Sequence, residues 1–395
     1  MRDPELPRNA GVLPSESSPP APLHCVERGG ARSKGGEIRK VFSPLSTQWR
    51  GGQGVRIRRA GRSEGKVQSW ALFLLPNWIG GHTAYLSHGS QAAHIADLWW
   101  LMFWVCSAVF VAVMVALGAA ITRPPRESGP PGAIPPERHT RMSQVVAGAV
   151  GVTVLTLFVL LFASVSTGRA IESLRTSKAV TVKVTGHQWW WEVEYKDPVP
   201  EHIVQTANEI HIPAGQPVRV ELVSADVIHS FWVPSLHGKR DLIPGHSSEI
   251  WIQADHPGVY RGFCAEFCGH QHAHMGLLVI ADPPAQYAAW YAGQLQTPPP
   301  PTNALLQRGR QVVESAPCAI CHNIQGTQAS GKLGPDLTHI ASRRTIAAAT
   351  LPNTPGNLGG WIVDPQTVKP GNQMPANSLT SEDLEAVLAY LESLK

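Results

Sequence analysis

A chain of 395 residues has room for two or three domains, and its net charge of only +4 argues against nucleic acid as a partner. Charged residues make up 16%, few for a protein that faces water throughout, and the apolar excess is gathered in two long runs. Four of the six cysteines form close pairs, Cys264-x3-Cys268 and Cys318-x2-Cys321-His322, a usage that points to metal or cofactor attachment rather than to a disulfide framework.

Residues 1–68 are rich in Pro, Gly, Ser and Arg, carry thirteen Lys and Arg between Arg2 and Lys66, and lack apolar periodicity. Residues 1–88 are therefore expected to be disordered, or a leader absent from the mature protein. Within them SWALFLL (69–75) is a short apolar core cut off by Pro76, and Cys25 has no assigned role. Residues 98–121 and 145–165 are uncharged spans of 24 and 21 residues. As helices each can cross ~30 Å of hydrocarbon. Trp99, Trp100 and Trp104 suit an interfacial belt, and Cys106 reads as a small apolar residue of the span. The connection between the spans is Pro-rich and carries Arg123, Arg126, Arg138 and Arg141. Residues 89–168 thus read as a transmembrane hairpin whose basic loop stays cytoplasmic, with everything after residue 168 on the outer side.

Residues 169–284 change to short β-branched and aromatic runs separated by Pro, Gly, Asn and Asp, the pattern of a β-sandwich or barrel. Residues 285–302 read as a short helix followed by the stiff spacer TPPPPT, and 303–395 as a compact, mostly helical unit. Its last helix, SEDLEAVLAYLESLK, has Ser381 as the expected N-cap.

The chemistry concentrates in Cys264–Met275, CAEFCGHQHAHM. Thiolate, imidazole and thioether together select copper, or zinc if the thioether is left out. His229, in DVIHSFWVP, stands at a strand end, and a strand histidine joined to a Cys/His/Met loop is the layout of blue-copper β-sandwiches. A Cys264–Cys268 disulfide and a two-cysteine, two-histidine zinc site are the alternatives. His270 and His274 flank His272 and read as surface groups or as partners that support the ligands, and Asp226 as a loop acid.

The second constellation, Cys318-Ala-Ile-Cys321-His322, is the attachment pattern for a c-type haem, with His322 as the proximal ligand. Met374, in GNQMPA, lies 52 residues later in a Gly/Pro loop and suits the sixth iron position; His339 is the rival for it.

The blocks GHQWWWEVEY, DVIHSFWVPSL, KRDLIPG and CAEFCGHQHAHM resemble subunit II of haem–copper cytochrome c oxidases over residues ~90–284. The fingerprint CxExCGxxHxxM is complete, and His229 precedes Cys264 by 35 residues, as that family's pattern requires. The resemblance implies a Greek-key cupredoxin domain holding a binuclear copper centre, CuA. In it Cys264 and Cys268 bridge two coppers, His229 and His272 bind one each, and Met275 and the Glu266 carbonyl are weak axial ligands. It also implies a magnesium ion shared with subunit I through the Glu266 side chain, electron entry at Trp189, and a position for Asp226 near the donor-docking surface. KRDLIPG keeps Asp241 and Pro244 but has His246 where the family has arginine, and Glu137, near the second span, does not match the family's proton-path glutamate well enough to inherit its role. GPDL (334–337) and the CxxCH pattern resemble class I cytochromes c.

The whole resembles the caa3 type of oxidase subunit II, with an all-α cytochrome c domain fused behind the copper domain. The expected protein is the electron-transfer subunit of a terminal oxidase in a bacterial plasma membrane, embedded in lipid and partnered by subunit I and by subunit III. Electrons from its own haem, or from cytochrome c or another periplasmic donor, would pass through CuA to haem a of subunit I, where O2 is reduced to water with proton translocation. A CuA-type nitric oxide reductase subunit and a membrane-tethered copper-delivery protein are the alternative readings.

Overall fold

The computed structural model describes residues 86–124, 136–173, 176 and 179–395. Residues 1–85 of the expected leader, with Cys25, and the middle of the hairpin connection, with Arg126, lie outside the described residues.

Both uncharged spans are helical, and both helices run past them: α1 spans Ser90–Thr122 and α2 spans Pro136–Glu172. At 1.5 Å per residue, α1 is about 50 Å long, well beyond the ~30 Å of a bilayer core. The two helices pack against each other but leave most of their apolar side chains uncovered; Phe110, Val115, Leu155 and Phe162 are 65–77% exposed. Each is long and apolar enough to cross a membrane. Trp99, Trp100, Phe103 and Trp104 form a continuous aromatic cluster early in α1, with the Trp99 and Phe103 rings stacked at 5.3 Å. Arg138 and Arg141, expected in the connection, lie instead in the first turns of α2, which begins at Pro136. Proline suits that place because a first helical residue has no partner for its N–H.

The start of α1 is planted on the β-domain. His88 N–H donates to the Ser235 carbonyl at 2.7 Å, and the His88 carbonyl accepts from Asp255 N–H at 2.9 Å. Ala92 N–H reaches the Leu236 carbonyl, and the buried Gln91 amide donates to the Trp251 carbonyl at 3.1 Å. Gly89 is required here, because a Cβ would stand 2.3 Å from the Gln253 carbonyl oxygen.

Ten strands follow: β1 (Val180–His187), β2 (Trp190–Lys196), β3 (Val204–Ala207), β4 (Glu209–Pro213), β5 (Val218–Ser224), β6 (His229–Trp232), β7 (Lys239–Leu242), β8 (Ser248–Ile252), β9 (Gly258–Cys264) and β10 (Gly276–Asp282). They make two five-stranded sheets, ordered β3-β2-β1-β5-β8 and β4-β10-β9-β6-β7. The pairs β1/β5 and β4/β10 are parallel and the others antiparallel. The alternation is plain in β5, where Val218, Val220 and Leu222 are buried while Arg219 and Glu221 point out. One core unites the sheets around Trp191, Tyr195, Phe231 and Leu277. This is the expected cupredoxin β-sandwich. Helix α3 (Pro284–Gln294) closes one end, stacking Trp290 on His211 at 4.1 Å.

Beyond the proline spacer come α4 (Ala304–Ser315), α5 (Cys318–Cys321), a ribbon of β11 (Thr345–Ile346) and β12 (Leu351–Pro352), α6 (Pro355–Val363), α7 (Pro365–Val368) and α8 (Ser381–Ser393). Caps come from Asn303, Thr354 and Thr380, each accepting a first-turn N–H. Thr380 takes the place expected of Ser381, which is already helical: the Thr380 hydroxyl accepts from Asp383 N–H at 3.1 Å. Terminal helices α4 and α8 cross at Gly309, whose missing Cβ would stand 2.0 Å from the Ala386 carbonyl oxygen.

The ribbon docks this helical unit on the sandwich. Its turn runs through Ala347, Ala348 and Ala349, all left-handed with φ of 54–56°. Buried Glu209 accepts from Arg344 N–H, Thr345 N–H and the Thr345 hydroxyl at 3.0, 2.8 and 2.7 Å. Gly276 N–H donates to the Ala348 carbonyl, and Ala349 packs on Leu278 and Ile280.

Gly309→Ala forces α4 away from α8, because the obstacle is backbone. It should cost roughly 1–3 kcal/mol and appear in calorimetry as a lowered transition of the helical unit, with the sandwich transition unmoved.

Candidate copper and haem sites

The sequence brings its soft ligands together by folding three elements to one end of the sandwich. His229 opens β6, Cys264 ends β9, and the loop from Cys264 returns through a single 3-10 turn, His272–His274, to Met275 before β10. His229 and Met275 are fully buried, and Cys264 and Cys268 nearly so. Both thiols are free, so the disulfide alternative does not hold. His229, Cys264 and Cys268 bring one ligand atom each within 4.8 Å of one another. His229 Nδ1 is 3.9 Å from the Cys264 sulfur, and His272 Nδ1 is 3.7 Å from the Cys268 sulfur. The Met275 sulfur lies 3.8 Å from that of Cys268, and the Glu266 carbonyl 3.1 Å from that of Cys264. Every ligand expected from sequence therefore reaches the cluster, although His272 stands partly exposed at its rim. His270 is exposed, and exposed His274 is turned to Gln271 at 2.8 Å, as expected of surface groups.

The two thiols share their proton unequally. A hydrogen bond from Cys268 pulls the Cys264 pKa down, and the same bond, with burial, pushes Cys268 up. For His229, burial works against the charged form, but hydrogen bonds that the ring donates to Cys264 and Asp226 outweigh it and the pKa rises. Asp226, expected to be a loop acid, does more: one carboxylate oxygen holds His229 Nε2 at 2.7 Å and the other accepts from Gln188 N–H at 2.6 Å. That contact turns Nδ1 toward the sulfurs, the outer-shell arrangement of metal-binding histidines. The Glu266 carboxylate points away and stands 4.0 Å from Lys239.

The other constellation lines one largely apolar cavity. Cys318, Cys321, His322 and Met374 all line it, together with Trp361 and Ile362. His322 Nδ1 lies 2.7 Å from the Pro335 carbonyl, which can only accept, so Nδ1 carries the proton and Nε2 keeps its lone pair. Burial holds the His322 pKa low, in keeping with a neutral ring. Gly334 is needed beside it, because a Cβ would touch the imidazole at 2.7 Å. Arg343 is buried at the cavity wall, and its Nε finds no hydrogen-bond partner among the described residues. An orphaned guanidinium N–H in an apolar cavity fits a planar ligand with acidic side chains. His339 is not its rival ligand: it lies outside the cavity, with Nδ1 on the Lys395 carbonyl at 2.9 Å and Nε2 on the Gln294 carbonyl at 3.1 Å. Met374 is set by its own loop, where its N–H donates to Asn372 and its carbonyl accepts from Gln366.

Between the two sites stands Trp189, in the turn from β1 to β2, 8% exposed. Its indole N–H donates to the Cys268 carbonyl at 2.8 Å, and it also lines the haem-type cavity. Its own carbonyl accepts from Lys369 Nζ at 2.8 Å. Lys369 and Glu209 carry no motif and went unread in the sequence, since a buried charge becomes visible only once the two domains meet.

Residues 200–281 match the family model described as cytochrome c oxidase subunit II, periplasmic domain, and residues 306–395 match that of cytochrome c. The regions that carry the soft ligands and the CxxCH pattern are thus similar to an oxidase subunit II domain and to a cytochrome c domain. Cytochrome c oxidase subunit 2 of Alkalihalophilus pseudofirmus is 44% identical over 217 residues, which are 55% of this chain and 61% of that protein. The subunit 2 of Bacillus sp. (strain PS3) is 32% identical over 232 residues, 56% of this chain and 64% of that protein. The chain thus aligns with somewhat over three fifths of these relatives' length. The periplasmic domain of Bradyrhizobium japonicum oxidase subunit II is 30% identical over 30% of this chain and 94% of its own, with a TM-score of 0.28. Domains of these two families imply copper and haem c, and both donor sets described above fit them.

Asp226→Ala should leave the fold intact but weaken copper binding on the order of 10–100-fold, as read by competition with a chelator of known affinity.

Proposed function

We propose that the chain is the electron-transfer subunit of a haem–copper terminal oxidase of the caa3 type. In this reading it accepts electrons at a c-type haem and passes them through binuclear CuA to subunit I, which reduces O2 to water and translocates protons. The observation that carries the reading is Trp189, which lines the same cavity as Cys318, Cys321, His322 and Met374 while hydrogen-bonding the carbonyl of Cys268.

The haem and the copper pair supply one-electron redox chemistry; this chain's residues attach them, shield them and fix their separation. Cys318 and Cys321 would tether the porphyrin, and His322 Nε2 and Met374 would hold its iron. Cys264, Cys268 and the Nδ1 atoms of His229 and His272 would hold the coppers, with Met275 and the Glu266 carbonyl as weaker ligands. Burial of both sulfurs and of Met275 keeps water from the cluster. The Glu266 carboxylate is left for a magnesium ion shared with subunit I. Phe267, 79% exposed between the two cysteines, with exposed Val227, Ile228 and Ile243, puts apolar surface beside the cluster and supports a partner subunit there. Helices α1 and α2 anchor the chain in a bacterial plasma membrane, with both redox domains on the outer face and the hairpin connection in the cytoplasm. Subunit III completes the complex, and cytochrome c or another periplasmic carrier is the donor.

Electron paramagnetic resonance and optical spectra of the purified, copper-loaded chain test this. A seven-line mixed-valence copper signal and a low-spin c-type haem spectrum are expected. A mononuclear copper signal, or zinc alone, would sink the CuA assignment. Met374→Ala should convert the haem from its low-spin form and leave the copper signal unchanged.

A further inference from the structure

The loop that carries Met374 is tied to the copper loop at two points. Lys369, at the C-terminal end of α7, is 3% exposed, and both hydrogen-bond acceptors of its ammonium are carbonyls: Trp189 at 2.8 Å and Ala347 at 3.5 Å. The next residue supplies the second tie, where the Pro370 carbonyl accepts from the buried Gln271 amide at 2.7 Å. Gln271 directly precedes His272, and Trp189 is bonded through its indole to Cys268.

The same short segment is stiff in itself. The Lys369 carbonyl accepts from Asn372 N–H at 3.1 Å and from its side chain at 2.7 Å. Asn372 in turn accepts from Met374 N–H at 2.8 Å, and Gln366 donates to the carbonyls of Asn372 and Met374 at 2.9 Å each. No slack is left between the Lys369 backbone and Met374. A lysine spends rotamer entropy and desolvation when it is buried, and among the described residues no carboxylate forms an ion pair with it. Burial pushes its pKa down to about 8, against the opposing pull of the nearby Cys268.

Building on the electron-transfer reading, we propose that Lys369 is a positioning residue for transfer between the two redox sites. Its ammonium clamps the Trp189 carbonyl and, with the Pro370–Gln271 bond, locks the Met374 loop against the loop of Cys268 and His272. The two sites then behave as one rigid pair rather than as two domains on a flexible tether. In that pair the electron lost by the haem iron is the electron gained by the copper centre, with no donor diffusing between them.

The test uses the full chain with haem and copper bound. Lys369→Met keeps the length and apolar character of the side chain and removes the clamp. Reducing the haem with a light-generated reductant and following both chromophores should show an unchanged rate of haem reduction and a haem-to-copper step slowed by at least about tenfold. Amide hydrogen exchange should rise across Thr345–Ala349 and Pro370–Met374. Glu209→Gln, which loosens the same junction from the sandwich side, should slow the same step. An unchanged transfer rate and unchanged exchange in Lys369→Met overturns the proposal, as does slowing in Glu209→Gln alone. Loss of either chromophore from Lys369→Met also overturns it, because the lysine would then act in cofactor assembly. Absence of both signals from the unaltered chain would instead sink the electron-transfer reading, and the exchange measurement would still decide the clamp.

Discussion

The hydrogen bond from the Trp189 indole to the Cys268 carbonyl is the contact on which the rest of this molecule turns. It fixes the copper loop from inside the β-domain, and it places a large conjugated ring at the boundary between two domains. Soft ligands attract one another only weakly without a metal, so their convergence has to be imposed by the backbone around them. The sandwich does this with the start of β6, the end of β9 and one 3-10 turn. Asp226 completes the arrangement by aiming His229, and it ties that histidine to the same turn that carries Trp189.

The helical unit repeats the logic in a different material. Its cavity is largely apolar, and the groups lining it include a neutral imidazole fixed by a carbonyl, a thioether fixed by its own loop, and a buried guanidinium. Docking of this unit on the sandwich has a measurable cost, since each left-handed alanine in the ribbon turn is unfavourable by about 1–2 kcal/mol. Glu209 offsets it with three hydrogen bonds to a charged acceptor, each worth about 1.5–3 kcal/mol. The turn keeps its shape because the neighbouring domain holds it.

What sequence could reveal follows from how local each signal is. CAEFCGHQHAHM and CAICH announce their chemistry because spacing along a loop is nearly spacing in space. His229 was reachable because a strand end opposite a ligand loop is a recurring geometry. The helices were legible as uncharged spans, though not their ends, since apolarity marks the bilayer portion and α1 and α2 run beyond it into polar residues. Ser381 for Thr380 was a one-residue slip between neighbouring hydroxyls. His339 looked available until its two ring nitrogens proved to be engaged by carbonyls from distant positions, Gln294 and Lys395. Lys369, Glu209 and Gln271 were invisible for the same reason: their partners lie 99–180 residues away in the chain.

The attachment of α1 to the sandwich has a mechanical meaning. Its first turn is bonded to strands and loops of the β-domain, and Gly89 leaves no room for a hinge with side chains. The same domain follows α2 in the chain. A domain held this way is a bracket rather than a buoy. The position of the sulfur cluster relative to the first turn of α1 is built into the fold and needs no search.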